Sequence, residues 1–354
     1  MERFVGQEIK GAAKIAVTAN DAIGNFAACT PLLRALRTKY PSATIDYYGG
    51  ERTAEFEIAC LGSTNKLFDW RCSVHGRSFA TAARESLARI DQVGQYDLVI
   101  NVESGAINKA ITALLAGDAL VVGPCLGHDS RGDFAFQNDD RGDLWRDQNW
   151  VDANLQQRFP FLKSGFISEI FVRLCYIEPI AGAEWPGGIP RYQFPVADPQ
   201  VETPSVILST GASLASKLWP VEHWIAVLEQ YRQQDESVGL IGAPPKRQAD
   251  FYHSSDDESR LVERGLVLDL RGKLTLPEVA GAIAKARQVV TIDNGILHIA
   301  AAFDKPTVGL FRPNIVNLWA PPNPNLIRVV GKENVADILS AEVLAAIQKL
   351  GLMT

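Results

Sequence analysis

No two cysteines in this chain stand at a C-x-x-C spacing. The five present, Cys29, Cys60, Cys72, Cys125 and Cys175, are scattered, which argues against a zinc site and a disulfide framework. They read as reduced thiols, most of them buried, in a cytoplasmic protein. Long apolar runs are missing too. The longest, such as residues 110–116, fall far short of the roughly 20 residues that cross a bilayer. Glu2 and Glu8 break up the N-terminal segment, so it does not read as a secretory signal. There is no excess of positive charge: 35 Lys and Arg against 41 Asp and Glu leave a net −6, with no electrostatic reason to expect nucleic acid. No G-x-G-x-x-G follows a strand, no Walker loop occurs and no D-x-D ends a strand. These absences weaken the readings as a dinucleotide dehydrogenase, a P-loop nucleotidase and a metal-dependent transferase. No metal site and no cofactor are expected.

What is present is a globular composition, 47% hydrophobic and 21% charged over 354 residues, long enough for two domains with separate cores. Short apolar runs at 14–18, 44–48, 66–70, 97–101 and 119–123 read as strands, with helical periodicity between most of them, as over 26–40. Strands alternating with helices imply βαβ units and a parallel sheet covered on both faces. Residues 131–150 are polar, acidic and aromatic and read as a long surface loop, a place for acceptor contacts. The Arg-Gly-Asp triplets at 131–133 and 141–143 read as turn chemistry. Pro179, Pro186, Pro190, Pro195, Pro199 and Pro204 crowd one stretch, which excludes helix and central strand and places a domain boundary there. The alternation then resumes, with strands at 205–209, 238–241, 266–270, 289–293 and 307–311. Trp219-Pro220 opens a helix with proline at its first position. Ser340 can cap a last helix with Val343, Leu344, Ile347 and Leu350 on one side. The expected division is an N-terminal domain over 1–182, a linker over 183–204, a C-terminal domain over 205–330 and a terminal helix over 331–354. A ligand cleft is expected between the two halves.

Chemistry concentrates at three strand-to-helix loops. In the third, Asp293-Asn294-Gly295 ends a strand and opens a helix that carries His298. Open parallel sheets bind ligands at the carboxyl ends of their strands, where helix N-termini present N–H groups to anions. Asp293 reads equally as a helix cap and His298 as a core histidine. In the second, Thr210, Ser213 and Lys217 suit a phosphate or ribose, although Lys217 also reads as a surface lysine. In the first, Asp21 and Asn25 lie between the first strand and first helix, and a turn role for Asp21 is open. The doublets Asp139-Asp140 and Asp256-Asp257 follow no strand and read as solvated.

Four of these segments, in order, resemble glycosyltransferase family 9, the ADP-heptose:lipopolysaccharide heptosyltransferase family. They are Ile23-Gly-Asn25 with Thr30-Pro-Leu-Leu-Arg-Ala-Leu36, Gly211-Ala-Ser213 with Lys217-Leu-Trp-Pro220, Leu270–Leu276, and Asp293–Ala302 followed by Lys305-Pro-Thr-Val-Gly-Leu-Phe311. The resemblance implies the GT-B architecture: α/β, two Rossmann-like domains whose parallel sheets face an interdomain cleft. It implies inverting, metal-independent transfer of a heptose or related hexose from a nucleotide-diphosphate sugar to a carbohydrate, glycolipid or small-molecule acceptor. Lys217, Ser213, Asn294 and Gly295 would hold the donor's phosphates and ribose, with Thr210 in the same loop. Leu274 would lie near the base, Asp293 at the sugar hydroxyls and His298 beside the pyrophosphate. Partners are then a nucleotide sugar and its acceptor, with no nucleic acid and at most peripheral membrane contact.

Three departures from the family pattern stand out. Asn25 occupies the place of the family's catalytic aspartate, and an amide cannot accept a proton as a carboxylate does. Asp21, four residues earlier, is the expected general base, with Asn25 orienting the acceptor. Arg312 and Asn314 replace the Gly and Thr of the usual F-G-P-T. Residues 1–180 hold 19 Lys and Arg against 22 Asp and Glu, whereas a phosphorylated acceptor favours a basic face. The alternative is a catalytically impaired homologue that binds a nucleotide sugar in a regulatory or scaffold role; a nucleotide-sugar epimerase fits the motifs less well.

Overall fold

The computed structural model describes residues 1–62, 66–127, 132–147, 149–244 and 255–351. The chain divides into two units, Met1–Gln193 and Phe194–Thr354, and the break falls inside the proline-rich stretch.

The first unit carries strands β1 (Glu2–Arg3), β2 (Lys14–Thr18), β3 (Thr44–Gly50), β4 (Trp70–His75), β5 (Leu98–Asn101) and β6 (Leu120–Val122). Helices α1 (Ile23–Lys39), α2 (Ala54–Leu61), α3 (Phe79–Val93) and α4 (Ala106–Ala116) connect them, and α5 (Asp140–Arg146), α6 (Leu155–Arg158) and α7 (Ile167–Leu174) follow. All pairings are parallel, in the order β1-β6-β5-β2-β3-β4. Ile15, Ala16 and Val17 are all fully buried, as a parallel strand covered by helices on both faces requires. In α3 the buried residues Ala82, Ser86 and Ile90 recur every four positions, and Ser78 caps its start by accepting the Thr81 N–H.

The second unit repeats the plan with β7 (Val206–Ser209), β8 (Val238–Leu240), β9 (Leu268–Asp269), β10 (Gln288–Ile292), β11 (Thr307–Phe311) and β12 (Leu326–Val330). Its helices are α8 (Val221–Gln233), α9 (Ser255–Glu263), α10 (Leu276–Lys285), α11 (Gly295–Ala302), α12 (Val316–Trp319) and α13 (Ser340–Lys349). The order is β12-β11-β10-β7-β8-β9, again parallel. Counted from its own first strand this is the doubly wound order 3-2-1-4-5-6. The first unit follows the same order, with the two-residue β1 filling the sixth place beside β6. Trp219, Trp224, Leu228 and Tyr231 form one core with Val343 and Ile347 of α13, so the terminal helix is part of the second unit.

Several elements differ from the sequence reading. The strand expected at 66–70 is Trp70–His75; Leu67 and Phe68 are buried, with Phe68 stacked on Tyr47, but as loop. An apolar run reports burial, not hydrogen-bonding partners. The segment 131–150 is not a continuous loop, because Asp140–Arg146 is helical and buries Leu144 and Trp145. Asp139 is not simply solvated: it caps that helix through the Arg141 and Gly142 N–H groups and accepts the Tyr176 hydroxyl. Asp256 and Asp257 lie in the first turn of α9, where acidic side chains complement the helix dipole. Strands β1 and β12 have no counterpart in the sequence reading. The proline-rich stretch holds no helix or strand, yet Trp185 and Tyr192 are buried against Phe166.

In both units the strand order reverses between two neighbouring strands: β2 and β5 in the first, β7 and β10 in the second. Loops leaving such a pair diverge to opposite faces and open a crevice at the strands' carboxyl ends.

Candidate functional site

In the second unit the crevice lies where β7 and β10 end, with Ser209 paired to Thr291. Asn294 is the N-cap of α11, its Oδ1 accepting the Ile296 N–H at 3.0 Å; Asp293, the other candidate cap, is not. The same Oδ1 accepts the Thr291 hydroxyl, and Nδ2 donates to Ser209 Oγ at 3.0 Å and the Gly211 carbonyl at 3.1 Å. This amide stitches the β7 loop to the β10 loop.

That frees Asp293 for a different partner. Lys217 Nζ donates to Asp293 Oδ2 at 2.6 Å, across 76 residues of sequence. The carboxylate side chain is 4% exposed and the lysine 20%, so the ammonium faces both the pair and solvent. Lys217 sits on a short 3-10 turn, Ala215–Lys217. Arg312, which directly follows β11, donates to Ser216 Oγ at 3.2 Å. Two cations thereby flank one turn. Sequence reasoning marked Arg312 only as a departure from a motif; its long side chain and its place after β11, the strand beside β10, were the signal that it belongs here.

His298 is buried in α11, and burial pushes its imidazole down to about 4, with Asp293 pulling upward and Lys217 downward. It is therefore neutral at pH 7, and its ring meets Trp319 edge-on. Thr210 donates its hydroxyl to Glu258 at 2.8 Å, and the same buried Glu258 takes Arg271. This network ties the ends of β7 and β9 together, so Thr210 is engaged in it. Ser213 is exposed in the β7 loop, Gly295 opens α11, and Leu274 is half-buried after β9, at the sheet edge two strands from β7.

In the first unit the corresponding crevice holds Asp21, Asn25 and Glu103. Asp21 follows β2, is 6% exposed and accepts both Nε–H (3.0 Å) and Nη2–H (2.6 Å) of Arg52 on Oδ1. Gly50 is required beside it, since a Cβ there would lie 2.5 Å from the Asp21 Cβ. Asn25, in the first turn of α1, turns to a different residue: Nδ2 donates to Glu103 Oε1 at 2.8 Å. Glu103 lies just beyond β5, and burial raises its carboxyl to about 7 while the Asn25 bond pulls the other way. Nothing in its sequence context singled Glu103 out; only the neighbouring of β2 and β5 brings it to Asn25.

The glycosyltransferase family 9 (heptosyltransferase) model matches residues 187–342. This match covers most of the second unit and the end of the proline-rich stretch, and over that segment the chain is similar to glycosyltransferase family 9. Lipopolysaccharide heptosyltransferase 1 of Salmonella typhimurium is 29% identical over 136 residues, 38% of each chain; the aligned part thus spans well under half of that relative. A family 9 glycosyl transferase from Veillonella parvula superposes with TM-score 0.71 at 16% identity, over 96% of this chain and 97% of that one. An Escherichia coli heptosyltransferase solved with ADP superposes at 0.62, with 16% identity, over 95% and 99%. The GT-B fold of these structures, with two six-stranded parallel sheets, is shared over at least 95% of this chain.

Proposed function

We propose that this chain, similar to family 9 over residues 187–342, transfers a heptose or related hexose from a nucleotide-diphosphate sugar to a carbohydrate, glycolipid or small-molecule acceptor. In this reading the second unit holds the donor and the first unit presents the acceptor hydroxyl. The supporting observation is the second-unit crevice, where Lys217 and Arg312 flank the turn facing the start of α11. Two cations and a helix N-terminus are what a departing diphosphate needs. Heptosyltransferases of this fold have been solved with ADP and with ADP-2-deoxy-2-fluoro heptose, which makes ADP-heptose the first donor to try.

The reaction we propose inverts the anomeric centre and uses no metal, the leaving-group charge being met by Lys217, Arg312 and the helix. The absence of net positive charge over 1–180 favours an unphosphorylated acceptor. Among the described residues no helix is long and apolar enough to cross a membrane. All five cysteines are free and buried, which supports a cytoplasmic setting.

The reading as an impaired donor-binding homologue draws on Asn25. One experiment separates the two: ADP binding by calorimetry, followed by NMR of product formed from ADP-heptose over an acceptor panel that includes water. Binding with product of inverted configuration supports transfer. Retained configuration overturns the inverting step, and binding without turnover favours the impaired homologue.

A further inference from the structure

An inverting transfer needs a proton acceptor for the incoming hydroxyl, and the amide at Asn25 cannot serve. Resting on the donor reading above, we propose that Glu103 is the general base and that Asn25 is its positioning residue.

The geometry is specific. Glu103 leaves β5 and Asn25 leaves β2, the two strands between which the sheet order reverses. Asn25 occupies one carboxyl oxygen, Oε1, at 2.8 Å. Among the described residues Oε2 has no hydrogen-bond partner. The backbone is pinned as well: Asn101 Oδ1 accepts the Glu103 N–H at 2.8 Å, and Asn101 Nδ2 donates to the Pro124 carbonyl at 2.6 Å. Gly123 makes this close passage possible, since a Cβ there would fall 1.8 Å from the Asn101 carbonyl oxygen. A carboxyl held at one oxygen and on a fixed backbone meets the positional demand on a base. Asn25 and Glu103 are both partly exposed, and Ser104 and Gly105 next to them are exposed, so a substrate can reach the free oxygen.

Asp21, the base expected from the sequence, is built differently. It is nearly buried, and its Oδ1 takes two guanidinium donors. Taking up a proton would break that ion pair, whereas Glu103 gives up nothing but desolvation. Burial holds Glu103 at about 7, where a carboxyl is both substantially ionised and usefully basic at neutral pH. Its titratable neighbours are Cys29 of α1 and Tyr47 of β3, both buried and pushed upward, so they stay neutral across the working range. In the step itself, Oε2 takes the acceptor's hydroxyl proton as that oxygen bonds to the anomeric carbon. The bond from that carbon to the diphosphate oxygen breaks, and its electron pair leaves with the nucleotide.

The test uses the full chain with ADP-heptose as donor and water as acceptor, reading ADP release against pH, and ADP affinity by calorimetry. Glu103→Gln keeps the shape and the bond from Asn25. It is expected to lower ADP release by about 10²–10⁴-fold while ADP affinity changes less than about twofold. The wild type should lose turnover below about pH 7, and this acid limb should vanish from the residual activity of Glu103→Gln. Glu103→Asp should keep part of the rate and the limb. Asn25→Asp should move the limb to higher pH, because two carboxyls in contact resist double ionisation. Glu103→Gln retaining more than about a third of the turnover, at the diffuse level of a structural effect, with the limb unchanged, overturns the proposal. So does a sharp gain in Asn25→Asp with no effect of Glu103→Gln, and so does ADP binding with no ADP release by the wild type. Failure of ADP to bind overturns the donor reading itself.

Discussion

A carboxyl raised by burial leaves a signature in stability that needs no substrate. In Glu103 the carboxyl moves from an ordinary 4.5 to about 7 on folding, with burial as the leading cause. At about 1.4 kcal/mol per tenfold change in the proton equilibrium, that amounts to an upper limit of about 3 kcal/mol. The sign follows from linkage: a group whose folded value is raised contributes its full stability below the unfolded value and loses it as pH rises through the folded value. Wild-type protein should therefore pass from no penalty near pH 4.5 to the whole penalty above about pH 7.5. Glu103→Gln cannot ionise and keeps the Asn25 bond, so it carries no such penalty. The melting temperature of the variant, minus that of the wild type, should be near zero at pH 4.5 and climb to several degrees by pH 8. For a unit of this size 1 kcal/mol corresponds to about 2–4 °C, which puts the ceiling on the order of 10 °C. Scanning calorimetry of both proteins in half-unit pH steps measures it. A difference that stays flat with pH, or a variant less stable at pH 8, would refute the account of Glu103 as a desolvated carboxyl.

Other expectations concern the donor crevice. Lys217→Ala should weaken ADP binding by about 5- to 150-fold, the 1–3 kcal/mol scale of a hydrogen bond to a charged group, and leave adenosine binding unchanged; equal loss for both ligands would mean the lysine acts only through Asp293. Arg312→Ala should show the same pattern to a smaller degree, since its Ser216 bond already orders the turn without it. Asn294→Ala removes a cap and two inter-loop donations, so urea denaturation should show a loss of about 2–3 kcal/mol in the second unit; an unaltered midpoint contradicts the stitching role. The His298 ring resonances should titrate near pH 4, and an inflection near 6.5 would place the ring in water. Transfer should persist at full rate in EDTA, whereas a strict requirement for Mg²⁺ would overturn the leaving-group account.

Much of the architecture was legible because parallel α/β units advertise themselves locally. Buried strands such as 14–18 and 307–311 are short continuous apolar runs, and the helices between them keep their own period. The loops after β2, β7 and β10 could be picked out for the same reason: a strand end followed by small or polar residues and a helix start is a local pattern. The β1 and β12 edges, two residues and a half-exposed strand, carry too little burial to leave one. Residues 140–146 were hidden because a seven-residue helix offers barely two turns of periodicity.

What each site residue does was decided by tertiary structure alone. The sequence determined that Asp21, Asn25, Lys217 and Asp293 stand where the chain passes from a strand to the following helix. It could not say that Lys217 pairs with Asp293 across 76 residues, that Asn294 and not Asp293 caps α11, or that Arg52 takes Asp21. Glu103 is the clearest instance, lying 78 residues from Asn25 in a stretch with no motif of its own. Hydrogen bonds and desolvation depend on distances of a few ångströms, and those distances arise only when the strand order β6-β5-β2-β3 sets two remote loops side by side.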